Sequence, residues 1–188
     1  MDIAVFARAI GSTDSMARAA VVLVILAFFL KAAIVPFHAW APDAYEGASV
    51  PVTAYMAVVV KAGVLLAAVR VFGPARLASP MLELVAVLPL ASIVWGNLAA
   101  MRQPSLRRMV AYSSIAHMGF VTLGFFIFSE LGISGGIVQM ISHGFISGAM
   151  FLCIGVLYDR VHSREIASYG GVVNTMPKFT ALAVFFAM

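Results

Sequence analysis

The stretch AFFLKAAIVPFHAWAPDAY, residues 27–45, places a lysine inside an apolar run and a proline five residues after it. An ammonium group is costly to bury in hydrocarbon, and a proline removes a helical hydrogen bond. Pro36 leaves the carbonyl of Ala32 without its helical partner, so the sequence predicts a helix broken near Lys31–Pro36. Broken helices occur at membrane depth where they line a cavity or are buried in protein, which makes this stretch a candidate functional site.

The composition of the whole chain indicates an integral membrane protein. Of the 188 residues, 63% are hydrophobic and 11% are charged, and the mean hydropathy is +1.03. No water-soluble core needs so much apolar surface, so we expect the lipid bilayer as a partner. The isoelectric point near 9.6 is not accompanied by a basic groove with aromatic residues, and nucleic acid is therefore not an expected partner. The single cysteine, Cys153, is interpreted as a packing residue.

Apolar runs of bilayer length dominate the chain and predict an all-α, polytopic transmembrane helix bundle. We expect one transmembrane domain over residues 1–188, with about five spans and a truncated sixth. The predicted spans are residues 19–35, 52–71, 81–101, 109–128 and 133–158, followed by a short run at 179–188. A helix ending in mid-bilayer would leave its last carbonyls unpaired, so the chain is expected to be a fragment of a longer subunit.

The basic residues of the predicted loops indicate the orientation of the helices in the membrane. The loops at residues 102–108 and 159–178 together carry six Lys and Arg residues, and the loops on the opposite side carry four. Because cytoplasmic loops are richer in these residues, this excess predicts that the first two loops face the cytoplasm.

Four of the five predicted spans carry one titratable nitrogen near the middle of the bilayer. At about 1.5 Å per residue, Lys61 lies roughly 13 Å into its span, His117 roughly 12 Å, His143 roughly 15 Å and Lys31 roughly 18 Å. The hydrocarbon core is about 30 Å thick. One histidine alone can be a hydrogen-bonded packing residue. Two lysines and two histidines at one depth instead predict a chain of proton-exchanging groups across the membrane.

Polar side chains near these groups favour a hydrated path. Gln139, His143 and Ser147 recur at a spacing of four residues and share one helix face, and Ser113 shares a face with His117. The alternative for the hydroxyls is a hydrogen bond to the carbonyls of their own helix. Four glycines form two G-x-x-x-G spacings and predict close helix packing: Gly132, Gly136, Gly144 and Gly148.

Three segments resemble the antiporter-like membrane subunits of respiratory complex I, the proton-pumping NADH:quinone oxidoreductase. They are KAAIVPFHAWAPDAYEGASVPVTAYMAVVVKAG (31–63), RRMVAYSSIAHMGFVTLG (107–124) and QMISHGFISGAMFLCIGVLYDRVHSREIASYGGVVNTMPKF (139–179). The resemblance covers nearly all of residues 20–188. Residues 36–110 are more similar to the chain N type and residues 118–188 to the chain M type, as in a hybrid or an intermediate member of the family.

The resemblance implies a role for each buried ionisable group. It implies that Lys31 is the broken-helix lysine, that Lys61 is the central connecting lysine, and that His117 and His143 line the route between two half-channels. His38 belongs to the P-x-H-x-W motif of the family. Two parts of the family pattern are absent from this sequence, namely the upstream glutamate that pairs with the broken-helix lysine and a second broken helix downstream.

The resemblance further implies a proton-translocating subunit in a bacterial inner membrane, with the other membrane-arm subunits of complex I as partners. Such a subunit performs no redox chemistry, and we expect flavin, iron–sulfur clusters and quinone in the partner subunits rather than in this chain. The single cysteine and the absence of a G-x-G-x-x-G motif agree with that expectation. Two alternatives stay open: a subunit of an Mrp-type sodium/proton antiporter or a membrane-bound hydrogenase, and a structural membrane subunit without an ion path.

Overall fold

The computed structural model describes residues 14–72 and 79–188, and for residues 79–84 it describes the backbone only. Most of the described residues are helical, and none of them forms a strand. The longer helices are α1 (Ser15–Ala32), α3 (Val50–Phe72), α4 (Ser79–Met101), α5 (Leu106–Phe126) and α6 (Glu130–Val161). The shorter ones are α2 (Trp40–Gly47), α7 (Val172–Thr175), α8 (Pro177–Ala187) and a 3₁₀ turn (Ile166–Tyr169).

The helices confirm the predicted membrane bundle. Among the described residues, α1, α3, α5 and α6 are each long and apolar enough to cross a bilayer. Helix α4 has 23 residues and Pro89 inside it, and it coincides with the remaining predicted span. Each of these five helices begins a few residues before the predicted start, because residues that the sequence pattern assigned to the preceding loop form the first turn of the helix. Helix α2 follows the break and lies between the first two predicted spans.

The break predicted near Lys31–Pro36 is present, and it lies at Ala33. Helix α1 ends at Ala32, and Ala33 adopts the left-handed conformation with φ 60° and ψ 44°. The amide of Ile34 donates to the carbonyl of Phe29 at 2.9 Å, a bond that closes a helix end. The helix therefore stops before it reaches the proline, and Pro36 keeps it from resuming.

The broken backbone is held inside the protein by hydrogen bonds from neighbouring elements. The amide of Val35 donates to Oγ of Ser92 on α4 at 2.8 Å, and Nε1 of Trp40 donates to the carbonyl of Leu30 at 2.9 Å. Ala33 is fully buried and packs in a cluster with Ile115 of α5. These contacts satisfy backbone groups that hydrocarbon could not satisfy, which explains how a break is tolerated here.

Glycines allow the helices to approach closely. A Cβ added to Gly132 would lie 2.6 Å from the carbonyl oxygen of Gly124, and one added to Gly136 would lie 2.7 Å from the ring of Phe125. The second predicted pair faces α3 instead, since Cβ atoms on Gly144 and Gly148 would lie 3.3 and 3.2 Å from Val58. Both G-x-x-x-G spacings therefore lie at helix interfaces, as predicted.

Gly96→Ala is expected to disrupt the contact between α4 and α5. The added Cβ would lie 2.8 Å from the backbone nitrogen of Ala116, which cannot move without shifting α5. We expect a clear loss of folded subunit, measured as its amount in the assembled membrane complex on a native gel. Gly63→Ala is the matched control, because its Cβ would meet no described atom within 4 Å. Equal accumulation of both variants would contradict this account of the interface.

Candidate functional site

Lys61 lies at the centre of the bundle and its side chain reaches α5. The residue directly follows a turn of π-helix at Met56–Val60 within α3, and it is only 2% exposed. Its Nζ donates to Oγ of Ser114 at 2.7 Å and lies 5.3 Å from the centroid of the Tyr45 ring. No carboxylate among the described residues forms an ion pair with Lys61. A hydroxyl group and a ring face therefore provide its polar surroundings.

Ser114 connects Lys61 to two histidines. Its Oγ lies 3.0 Å from Nε2 of His143 on α6, and Nδ1 of His143 lies 3.2 Å from Nδ1 of His117 on α5. His143 is 2% exposed and Ser114 is 1% exposed, whereas His117 is half-buried. Three helices thus contribute to one continuous hydrogen-bonded series, Lys61–Ser114–His143–His117, which we call the Lys–His chain.

One assignment of hydrogens satisfies every link of the Lys–His chain. The ammonium of Lys61 donates to Ser114, so the Ser114 hydroxyl can donate to Nε2 of His143. His143 then carries its hydrogen on Nδ1 and donates it to Nδ1 of His117. All the hydrogens point from Lys61 toward His117. A proton released by Lys61 can therefore reach His117 when each group passes its hydrogen to the next.

The far end of the Lys–His chain opens onto a partly polar pocket of about 250 Å³. His117, Ser113 and Ser147 contribute its polar lining, together with methionines and the end of α8. Ser147 is 3% exposed, and its Oγ lies 3.2 Å from both ring nitrogens of His143. A pocket of this size and polarity can hold water next to His117.

Lys31 lies apart from the Lys–His chain. It occupies the last turn of α1, is exposed in the described part of the chain, and borders an open pocket of about 450 Å³ with Ala27, Leu30 and Trp40. No hydrogen bond among the described residues joins it to Lys61 or to the histidines. The structure therefore brings together three of the four predicted ionisable groups and leaves the fourth at the helix break.

His38 lies beside the break rather than in the Lys–His chain. Its Nε2 accepts a hydrogen bond from Nε1 of Trp95 at 3.0 Å, and its ring meets that of Tyr112 edge to face at 6.3 Å. Because Nε2 is an acceptor, the hydrogen of the neutral imidazole lies on Nδ1. His38 thus ties the turn after Pro36 to α4 and α5.

Ser114 is the central group that the sequence interpretation missed. The interpretation chose Ser113 because it lies four residues before His117, but Ser113 only lines the pocket. Ser114 lies three residues before His117, a spacing that also places two side chains on one helix face. That spacing is the sequence signal that could have found it. Gln139 is half-buried and shows no side-chain hydrogen bond within the described ranges.

Comparisons with known proteins identify a family of membrane subunits. The family model described as NADH:quinone oxidoreductase/Mrp antiporter, TM, matches residues 3–188. NADH-quinone oxidoreductase subunit M of Rhodobacter capsulatus is 44% identical over an alignment of 178 residues, and the match covers 88% of this chain and 34% of the relative. NADH-ubiquinone oxidoreductase chain 4 of Chondrus crispus is 40% identical over 167 residues, 85% of this chain and 33% of the relative.

Solved structures share the fold at lower identity. A chain of respiratory complex I from Thermus thermophilus is 28% identical with a TM-score of 0.79, over 87% of this chain and 35% of that one. A chain of the Mrp complex from Dietzia sp. is 27% identical with a TM-score of 0.87, over 97% of this chain and 35% of that one. The chain thus spans about a third of the length of its relatives. The matches to subunit M extend beyond residues 118–188, the part that resembles chain M most.

Proposed function

Because the chain belongs to the NADH:quinone oxidoreductase/Mrp antiporter transmembrane family, we propose that it moves protons across the membrane through the Lys–His chain. The continuous hydrogen bonding from Lys61 to His117 carries this proposal. Its three links measure 2.7, 3.0 and 3.2 Å. A series of that kind conducts protons without moving heavy atoms over long distances, whereas an ion such as sodium needs a cage of oxygen ligands.

Each part of the site has a task in this proposal. Lys61 binds and releases the proton. Ser114 transfers it across the interface of α3 and α5 to His143, and His143 transfers it to His117. The pocket beside His117 supplies the water that takes it up or delivers it. Lys31 takes part in a separate proton-transfer step at the helix break, and its carboxylate partner comes from outside the described residues.

The subunit acts inside a larger assembly. Its relatives are named as subunits of NADH-quinone oxidoreductases, so we propose complex I of a bacterial inner membrane as the parent complex and its membrane-arm subunits as partners. This chain would be the central part of a subunit about three times its length. Electron transfer through flavin, iron–sulfur clusters and quinone would belong to the partner subunits, and this chain would use the energy of quinone reduction without redox chemistry of its own.

A sodium/proton antiporter of the Mrp type is the second candidate. The chain of the Dietzia Mrp complex superimposes with a TM-score of 0.87 over 97% of this chain, which is more than for the complex I chain. The sequences favour complex I, because its subunit M relatives are up to 44% identical.

Proton uptake by inverted membrane vesicles that contain the parent complex distinguishes proton pumping, sodium/proton exchange and a structural role. Proton uptake is followed with a pH-sensitive dye, in one arm after addition of NADH and in another after imposition of a sodium gradient. We expect NADH-driven uptake that needs no sodium and that a protonophore abolishes. Uptake in the sodium arm alone would indicate exchange of the Mrp type. If NADH-driven uptake persists undiminished in Lys61→Ala vesicles, the subunit has a structural role.

A further inference from the structure

Two loops pair at one end of the helix bundle. The loop before α5 and the loop after α6 form an isolated antiparallel bridge between Ser105 and Glu165. The amide of Leu106 donates to the carbonyl of Arg164 at 3.0 Å, and the amide of Ile166 donates to the carbonyl of Pro104 at 2.9 Å. The two loops are therefore held together by direct backbone hydrogen bonds, in addition to the packing of their helices.

Arg107 fastens a third element to the paired loops. It lies in the first turn of α5 and is 5% exposed. Its guanidinium donates through one Nη to the carbonyls of Glu46 at 3.3 Å and Ala48 at 3.2 Å, where α2 ends and α3 is about to begin. The same guanidinium lies 5.2 Å from the centroid of the Tyr158 ring on α6. No carboxylate within the described ranges forms an ion pair with it.

The two paired loops and the α2–α3 junction lie at the ends of the three helices that carry the Lys–His chain. Arg107 precedes Ser114 by seven residues, or two helical turns, a distance of about 10 Å. The interface of α3 and α6 is continuous from this end inward, because a Cβ on Gly155 would lie 2.8 Å from Val50 and one on Gly148 3.2 Å from Val58. Lys61 and His143 follow at the inner end of this interface. A displacement of the paired loops would therefore change the positions of the hydrogen-bond donors and acceptors of the Lys–His chain.

We propose that Arg107 is a positioning residue for proton transfer, and that it holds the three helices in the register at which Ser114 reaches both Lys61 and His143. The inference rests on the proposed function of the Lys–His chain. Arg107, Tyr158 and the Ser105–Glu165 bridge together form what we call the loop clamp. The guanidinium suits this task, since one rigid group bonds two carbonyls and still presents its face to an aromatic ring.

The neighbouring Arg108 provides a matched comparison. It forms ion pairs with Asp43 at 2.9 Å and Glu46 at 3.0 Å, but a third of its side chain is exposed. Burial raises the pKa of the Glu46 carboxyl, but the hydrogen bond from Arg108 and the positive charges of Arg108 and Arg164 contribute to holding the pKa below its ordinary value. The ion pair therefore persists at neutral pH and is lost only as the pH falls through that lowered pKa. Exposed ion pairs of this kind contribute little to stability.

The test compares Arg107→Gln, Arg107→Lys and Arg108→Gln in the assembled parent complex. We expect Arg107→Gln to lower the protons moved per quinone reduced by at least about threefold, because two charge-assisted hydrogen bonds are lost. Quinone reduction and assembly on a native gel should be retained. Arg107→Lys should recover part of the ratio, and Arg108→Gln should keep it. A parental ratio in Arg107→Gln, or a loss only in proportion to lost assembly, would overturn the proposal.

A cross-link tests the clamp without weakening it. Ser105 and Glu165 form the non-hydrogen-bonded kind of antiparallel pair, whose Cα atoms lie about 4.5 Å apart, within the range that a disulfide spans. In a Cys153→Ala background, the oxidised Ser105→Cys/Glu165→Cys complex is expected to pump at the parental ratio. A loss of pumping that a reductant restores would show that the loops separate during turnover, and would refute a fixed clamp.

Lys61→Ala in the same vesicles separates the two hypotheses. If Lys61→Ala leaves the ratio unchanged, the proposed function of the Lys–His chain fails, whatever the Arg107 variants do. If Lys61→Ala abolishes pumping and Arg107→Gln does not change it, the function stands and the positioning role of Arg107 is wrong.

Discussion

Lys61→Ala is expected to abolish most proton pumping by the assembled parent complex, and Lys61→Arg is expected to impair pumping rather than preserve it. A proton carrier must be able to lose its proton and regain it. A lysine can do so in a buried site, whereas an arginine stays protonated in nearly all surroundings. Lys61 is 2% exposed and has no ion-pair partner among the described residues, so its charge is not fixed by a carboxylate. The longer guanidinium would also have to fit the space between Tyr45 and Ser114.

The measurement is the number of protons moved per quinone reduced, in membranes where a native gel confirms assembly. We expect Lys61→Ala to reduce this ratio at least about tenfold. Lys61→Arg tests whether residue 61 must only be positively charged or must also lose and regain its proton. If only the charge stabilises the fold, arginine could replace lysine. Pumping at the parental ratio and rate in Lys61→Arg would show that titration of Lys61 is not required.

The charged groups of the site could be predicted from the sequence because membrane helices make them conspicuous. An isolated lysine or histidine inside an apolar run is costly, so the sequence alone singles out Lys61, His117 and His143. In the fold, the two histidines contact each other and Ser114 connects them to the lysine. Their role in transport stays a prediction.

The neutral and backbone parts of the site were harder to predict. A serine in a membrane helix costs little and most often bonds to its own helix, and the helical spacing to His117 allows both Ser113 and Ser114, so the sequence could not choose between the two. The left-handed conformation of Ala33 has no signal either, because alanine is the strongest helix former. The proline marked the break correctly within residues 31–36, but it could not show that the last helical residue is Ala32.

Long-range pairing explains why the loop clamp was not predicted. Arg107 and Arg108 are adjacent in the sequence and were both interpreted only as signals of orientation. In the fold, one is buried against two carbonyls and an aromatic ring, and the other forms ion pairs near the surface. The partners of Arg107 lie about 50 to 60 residues away in the sequence, on either side. No local sequence pattern shows whether Arg107 or Arg108 will contact them.

Ser114→Val is expected to interrupt the Lys–His chain almost as completely as loss of the lysine, whereas Ser114→Thr is expected to keep it connected. Valine and threonine have nearly the same shape, so any strain from the added methyl group at this buried position is common to both variants. Only threonine retains a hydroxyl that can accept from Lys61 and donate to His143. Valine leaves Lys61 without its hydrogen-bond acceptor and removes the link from Lys61 to His143, which keeps only its contacts with Ser147 and His117. Valine also excludes a water molecule that could replace the hydroxyl, as it could in Ser114→Ala.

We expect the ratio of protons moved to quinone reduced to be at least about tenfold lower in Ser114→Val than in Ser114→Thr. Ser114→Ala should lie between them, because a bridging water restores part of the connection. Ser113→Ala should have a smaller effect than Ser114→Val, since Ser113 lines the pocket without joining two members of the chain. Equal pumping by the valine and threonine variants would show that the proton crosses from α3 to α6 by another route, because the two differ at this position only in the hydroxyl group.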